Sequence, residues 1–220
     1  MPDPESPLLL GASPEEAKVF CIVLHGRTQT PEDMEEQVVG RLHAPDTAFL
    51  LPRAPGRSWY AARAVDPLTA QTKTELEAAV ARVHALRADW ERRAGREMPL
   101  LIAGFSQGAC LSLEYAMRHG PWRGALACLT GCRVGRATPE QPFADLDRMP
   151  VYLTGSDKDP WIPVDAFSAA AATLAQARAR LRCDVFPDRA HEVCREEVLV
   201  LDRMIESLAQ GSEVFETTGR

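Results

Sequence analysis

The chain has 220 residues, 45% of them hydrophobic and 25% charged, with a formal net charge of -6. That length suits one domain with a large core, and the acidic balance excludes nucleic acid and anionic lipid as main partners. No apolar run reaches the roughly 18 residues of a membrane span. Met1 to Glu5 is acidic and proline-broken, unlike a secretory leader, so a cytoplasmic location is expected.

Short apolar runs alternate with helical patterns along the whole chain. Residues 19–24 read as a strand, and Pro31-Glu32-Asp33-Met34 opens a helix, since proline is favoured in a first turn. A strand is predicted at 47–51. From 74 to 90, Leu76, Val80, Val83, Leu86 and Trp90 recur at helical spacing. Residues 100–103 form the next strand and 106–118 a helix. Strands follow at 125–129 and 151–154, then a helix over 163–179 with Phe167, Ala170, Ala171 and Leu174 on one face. The last strand is predicted at 181–186 and the last helix at 196–208. Residues 211–220 lack periodicity and are expected to be a mobile tail. Continuous apolar strands separated by crossover helices predict one α/β domain over 1–210, a mostly parallel sheet with helices on both faces.

The six cysteines, at 21, 110, 128, 132, 183 and 194, form no Cys-x-x-Cys pair. They are expected to be reduced and mostly buried thiols, with no zinc site.

Gly104-Phe105-Ser106-Gln107-Gly108 matches Gly-x-Ser-x-Gly between an apolar strand and a helix. That context produces a sharp turn that lifts the serine hydroxyl above the sheet edge. A serine hydroxyl needs a base, and the base an orienting acid. In folds with this turn the chain order is Ser, then Asp or Glu, then His. His119 ends the helix that Ser106 starts, about 20 Å away at 1.5 Å per residue, which leaves His191 in the loop after the final strand. Asp157 and Asp159 both follow the 151–154 strand and are both candidates for the acid. The backbone N–H groups of Gln107 and of Arg27, in the loop His25-Gly26-Arg27-Thr28, are the expected oxyanion hole. His25 is expected to support that loop.

These segments resemble the phospholipase/carboxylesterase branch of the α/β-hydrolases, which includes acyl-protein thioesterases. Leu24-His25-Gly26-Arg27 is similar to its His-Gly oxyanion segment, and Ala54-Pro55-Gly56-Arg57-Ser58-Trp59-Tyr60 to its Ala-Pro-x-x-x-Trp-Tyr/Phe loop. Gly104 to Ala109 resembles its nucleophile segment, Asp159-Pro160-Trp161-Ile162-Pro163 its acid segment, and Ala190-His191-Glu192 its histidine loop. The resemblance spans about residues 8–208 and selects Asp159 over Asp157. It implies an α/β-hydrolase fold and hydrolysis of carboxylic esters through Ser106, His191 and Asp159, with no cofactor or metal. The substrate would be a small-molecule ester or an acylated molecule, with thioester cleavage as the alternative. A homodimer is compatible with it. Trp59 and Tyr60 are expected in the substrate pocket, with residues 61–70 as a flap over it. Two departures from the family bear on that pocket: Thr28 stands where a small glycine is usual, and Trp161 is bulkier than the usual side chain. Thr28 is the feature that favours a non-catalytic ligand-binding homologue. Phe105 is expected in the core, and His43, His84, Arg133 and Arg136 in solvent.

Overall fold

The computed structural model describes residues 6–215. Seven strands build one sheet: β1 (Leu8–Gly11), β2 (Val19–Leu24), β3 (Thr47–Leu51), β4 (Leu100–Phe105), β5 (Gly124–Leu129), β6 (Pro150–Ser156) and β7 (Arg180–Phe186). Their spatial order is β1-β3-β2-β4-β5-β6-β7. Only β1 runs antiparallel, to β3, and every other neighbouring pair is parallel. The helices are α1 (Pro31–Gln37), α2 (Ala70–Ala94), α3 (Gln107–His119), α4 (Val164–Gln176) and α5 (Arg195–Gln210).

Every residue of β2, β3 and β4 is buried, as strands covered on both faces must be. Successive side chains alternate between two apolar layers. On one face Phe20, Ile22, Leu24, Ile102 and Leu126 pack with Val80 and Val83 of α2, Leu113 of α3 and Leu174 of α4. On the other, Cys21, Val23, Leu101, Ala103 and Ala127 meet Met34 of α1 and Leu201, Met204 and Ile205 of α5. Phe20 and Trp90 stack with ring centroids 4.2 Å apart.

β3 lies on one side of β2 and β4 on the other, so the direction of winding reverses between β2 and β4. Open α/β sheets place ligands outside the carboxyl ends of their strands at such a reversal. The loop after β2 carries Arg27 and the turn after β4 carries Ser106.

Three elements differ from the sequence expectation. β1 was not expected. α2 begins before residue 74 because Thr69 caps it, accepting from Thr72 N while the Thr72 side chain accepts from Thr69 N. α4 ends at Gln176, and Arg178 then adopts φ 57°. Of the terminal segment, Val214 is buried against the α5 layer and Arg180 donates to the Phe215 carbonyl at 3.0 Å; residues 216–220 lie outside the described part. No described helix is long and apolar enough to cross a membrane.

Candidate active site

Ser106 joins β4 to α3 with φ 54° and ψ -117°, a conformation that costs a non-glycine residue free energy. Two glycines make the turn fit. A Cβ on Gly104 would lie 2.4 Å from the Gly108 carbonyl carbon, and one on Gly108 would lie 2.1 Å from the Leu24 carbonyl oxygen. Without side chains, strand, helix and the end of β2 close around the serine.

The Ser106 hydroxyl lies 2.8 Å from His191 Nε2, and His191 Nδ1 lies 2.6 Å from Asp159 Oδ2. The other Asp159 oxygen accepts from the N–H groups of Trp161 and Ile162, each at 2.8 Å. Burial pushes the Asp159 carboxyl up, but the His191 hydrogen bond and these two N–H donors together hold it below its ordinary value. The imidazole thus lies between a carboxylate at Nδ1 and the serine hydroxyl at Nε2. Asp157, the other candidate, accepts from Asp188 N at 2.8 Å, so it steadies the histidine loop from outside.

Gln107 is the first residue of α3, so its N–H is among those with no acceptor inside the helix. Among the described residues neither it nor the Arg27 N–H has a hydrogen-bond acceptor in the protein. The loop after β2 is held by its neighbours: Gly26 N donates to Gln29 Oε1 at 2.8 Å and Thr28 N to the Arg57 carbonyl at 2.7 Å. Thr28 sits at φ 65°, and its hydroxyl donates to the Arg27 carbonyl at 2.6 Å. A β-branched residue in this left-handed region is strained.

Side chains of the same residues lock the next loop. Gln107 Oε1 accepts from Trp59 N at 3.0 Å while its amide nitrogen donates to the Tyr60 carbonyl at 2.7 Å. The Arg27 guanidinium donates to Ser58 Oγ at 3.2 Å and to the Ala62 carbonyl at 2.6 Å. His25 is fully buried, its Nδ1 2.7 Å from the Gly26 carbonyl and its Nε2 accepting from Ala54 N at 3.0 Å. Burial lowers its pKa, and the neutral ring serves as a brace.

A cleft of about 580 Å³ opens over Ser106 and His191. Its lining mixes apolar groups, among them Tyr60, Phe105, Trp161 and Ile162, with the polar Arg27, Thr28, Gln29, Arg63 and Asp66. Tyr60, Trp161 and Thr28 line it, and Trp161 is 62% exposed. Trp59 does not line it. Its indole is buried against His25, ring centroids 4.9 Å apart, and Nε1 donates to the His25 carbonyl at 2.8 Å. Residues 62–66 border the cleft where the flap was expected. Phe105 is buried but also packs on the His191 ring, centroids 5.0 Å apart.

Several contributors had no signal in the sequence. Cys110 reaches the cleft because it lies one helical turn beyond Ser106. Arg133 is not solvated: it donates to Glu114 Oε1 at 2.7 Å, with Arg118 on Oε2 at 2.6 Å. Of the six thiols, all free, Cys21, Cys110, Cys128 and Cys132 are buried and Cys183 is exposed. No group of ligating side chains suited to a metal ion occurs among the described residues.

The reversal in strand order, the strained turn after β4 and the acid and histidine after β6 and β7 define an α/β-hydrolase. The sequence profile of the phospholipase/carboxylesterase family matches residues 11–209, and the chain belongs to that family. It is 27% identical over 211 residues to a probable carboxylesterase of Oryza sativa subsp. japonica, covering 87% of this chain and 89% of the relative. The crystal structure of a phospholipase/carboxylesterase from Dyadobacter fermentans superimposes with a TM-score of 0.83 at 28% identity, covering 92% of this chain and 96% of that one. Zea mays acyl-protein thioesterase 2 shares the fold, with a TM-score of 0.69 at 16% identity over 92% of this chain and 98% of its own.

Proposed function

We propose that this protein is a serine carboxylesterase that works through an acyl-enzyme. Ser106 Oγ attacks the ester carbonyl carbon as His191 Nε2 takes its proton. The carbonyl oxygen becomes an oxyanion facing the N–H groups of Arg27 and Gln107. The tetrahedral adduct collapses, the bond to the leaving alcohol breaks, and His191 returns the proton to that oxygen. Water then attacks the acyl-Ser106 carbonyl, giving its proton to the same nitrogen, and the carboxylic acid leaves as Ser106 is reprotonated. Asp159 keeps the imidazole in the required tautomer throughout.

The observation that carries this reading is the hydrogen-bonded line from Ser106 through His191 to Asp159, opening into a cleft partly lined by apolar side chains. Family membership supports ester hydrolysis as the chemistry. The test is turnover of p-nitrophenyl esters from acetate to palmitate. Ser106→Ala is expected to lower kcat by at least about a thousandfold while leaving the circular dichroism spectrum unchanged. Wild-type turnover in that variant would refute the mechanism.

A further inference from the structure

The two N–H groups that face the oxyanion in the mechanism proposed above come from different elements, Arg27 from the loop after β2 and Gln107 from the start of α3. Among the described residues no hydrogen bond joins Arg27 directly to Gln107. Both side chains instead reach one hydroxyl, that of Ser58. Arg27 Nη1 donates to Ser58 Oγ at 3.2 Å, and Gln107 Nε2 donates to it at 3.3 Å. The hydroxyl proton has the Tyr60 carbonyl as its acceptor at 3.0 Å. Gln107 Oε1 lies farther off, at 3.4 Å, and already accepts from Trp59 N, which fixes the orientation of the amide. A hydroxyl offers one proton and two lone pairs, and Ser58 uses all three.

A serine in a loop commonly spends its hydroxyl on the backbone of its own turn. Here the Ser58 N–H closes the turn, donating to the Pro55 carbonyl at 3.2 Å, and the hydroxyl is left for Arg27 and Gln107. The backbone on either side divides in the same way. The Arg57 carbonyl accepts from Thr28 N at 2.7 Å, beside Arg27, while Trp59 N and the Tyr60 carbonyl hold the Gln107 amide. The other acceptors of the Arg27 guanidinium among the described residues belong to the same segment, the Ala61 carbonyl at 3.3 Å and the Ala62 carbonyl at 2.6 Å. Oxyanion donors work only when both lie about 2.7–3.1 Å from one oxygen. Two elements with no direct bond between them must therefore be held to within about 0.5 Å of the productive spacing.

We propose that Ser58 is a positioning residue for the oxyanion hole: its hydroxyl bridges the side chains of Arg27 and Gln107 and so sets the spacing of their N–H groups. Ser58 does not line the cleft, and it acts through these two residues. The spacing matters most as charge develops on the carbonyl oxygen, so loss of the bridge falls on kcat and leaves KM alone.

The test is steady-state turnover of the best p-nitrophenyl ester by Ser58→Ala and Ser58→Thr, with inhibition by a trifluoromethyl ketone carrying the same alkyl chain. Ser106 Oγ adds to the ketone carbon, its proton passes to His191, and the ketone oxygen becomes an oxyanion at the two N–H groups. Ser58→Ala is expected to lower kcat and kcat/KM about tenfold, less than the roughly hundred- to thousandfold for a donor removed outright. KM stays within about twofold, and the ketone Ki rises by the factor that kcat/KM falls. Ser58→Thr keeps the hydroxyl, and φ of -146° at this position suits a β-branched residue, so kcat and Ki return to about the wild-type values. Wild-type kcat and ketone Ki in Ser58→Ala overturn the proposal. So does a loss confined to KM, or one that Ser58→Thr does not reverse. The bridge presupposes the serine mechanism: turnover retained in Ser106→Ala removes that mechanism, whereas Ser106-dependent turnover indifferent to Ser58→Ala removes the bridge alone.

Discussion

Arg189 and Glu197 meet at 2.7 Å in an ion pair whose side chains are 6% and 0% exposed, directly behind the loop that presents His191. The same Glu197 oxygen accepts from Cys194 N at 2.7 Å, and the other accepts from the Thr154 hydroxyl. Arg189 also donates to the Glu192 carbonyl at 2.8 Å and to Thr130 at the end of β5. The histidine loop is thereby tied to α5, β5 and β6. Glu197→Gln leaves the buried guanidinium without its counter-charge, which costs about 3–5 kcal/mol. The expected result is a lower urea midpoint and a lower kcat at nearly unchanged KM, because the cleft walls remain. Unchanged stability would show that the pair is not needed to hold the loop.

Asp159 makes stability depend on acid. Its folded pKa lies below its unfolded value, so between the two the unfolded chain binds more protons and stability rises with pH. The contribution is complete above the usual carboxylate range near 3.9 and is lost as pH falls through the folded value. Asp159→Asn is expected to flatten the acid limb of a denaturation-against-pH curve. The same change lowers kcat by about ten-thousandfold, through the wrong imidazole tautomer. An identical acid limb in the variant would assign that dependence to another carboxylate.

Thr28 gives a prediction of opposite sign. Its φ of 65° suits glycine, and a left-handed residue with a side chain carries roughly 1–3 kcal/mol of strain. Thr28→Gly relieves that strain, loses the hydroxyl bond to the Arg27 carbonyl and loosens the unfolded chain. The net expectation is a gain of about 0.5–1 kcal/mol, or roughly 2–4 °C in Tm per kcal/mol. KM for branched acyl esters should fall as the cleft widens. A lower Tm would mean that the hydroxyl bond outweighs the strain.

Gly108→Ala tests the closeness of α3 and β2. The added Cβ would meet the Leu24 carbonyl oxygen at 2.1 Å, and no flexible side chain is there to yield. Expected outcomes are a shifted Ser106, a loss of at least about a hundredfold in kcat/KM, corresponding to a misplacement near 1 Å, and a destabilised fold. Full activity would show that the backbone there moves freely.

Strands β2 to β6 were legible because each is a continuous apolar run, and Ser106 because its turn leaves a five-residue trace. β1 was not, since Leu8–Gly11 has half-exposed alternation and acquires its identity only by pairing with β3. Asp159 and Asp157 could not be separated by position alone; resemblance favoured Asp159, and it is Asp159 that meets His191. Trp59 was misplaced because an aromatic in a loop has the same local pattern whether it faces a ligand or a buried histidine. Arg133 gave no hint of its partner, since Glu114 is 19 positions away on another element. Long-range pairing of this kind leaves no period to detect.

His191 is 85 positions from Ser106 and 32 from Asp159, and each hangs from the end of a different strand. A slip of one residue between β6 and β7 displaces the imidazole by about 3.3 Å along the strand, which breaks the line to the serine. Turnover is therefore a stopwatch for assembly. After dilution from denaturant, helical signal can return early from local contacts, but ester cleavage waits until the last parallel strand has docked in register.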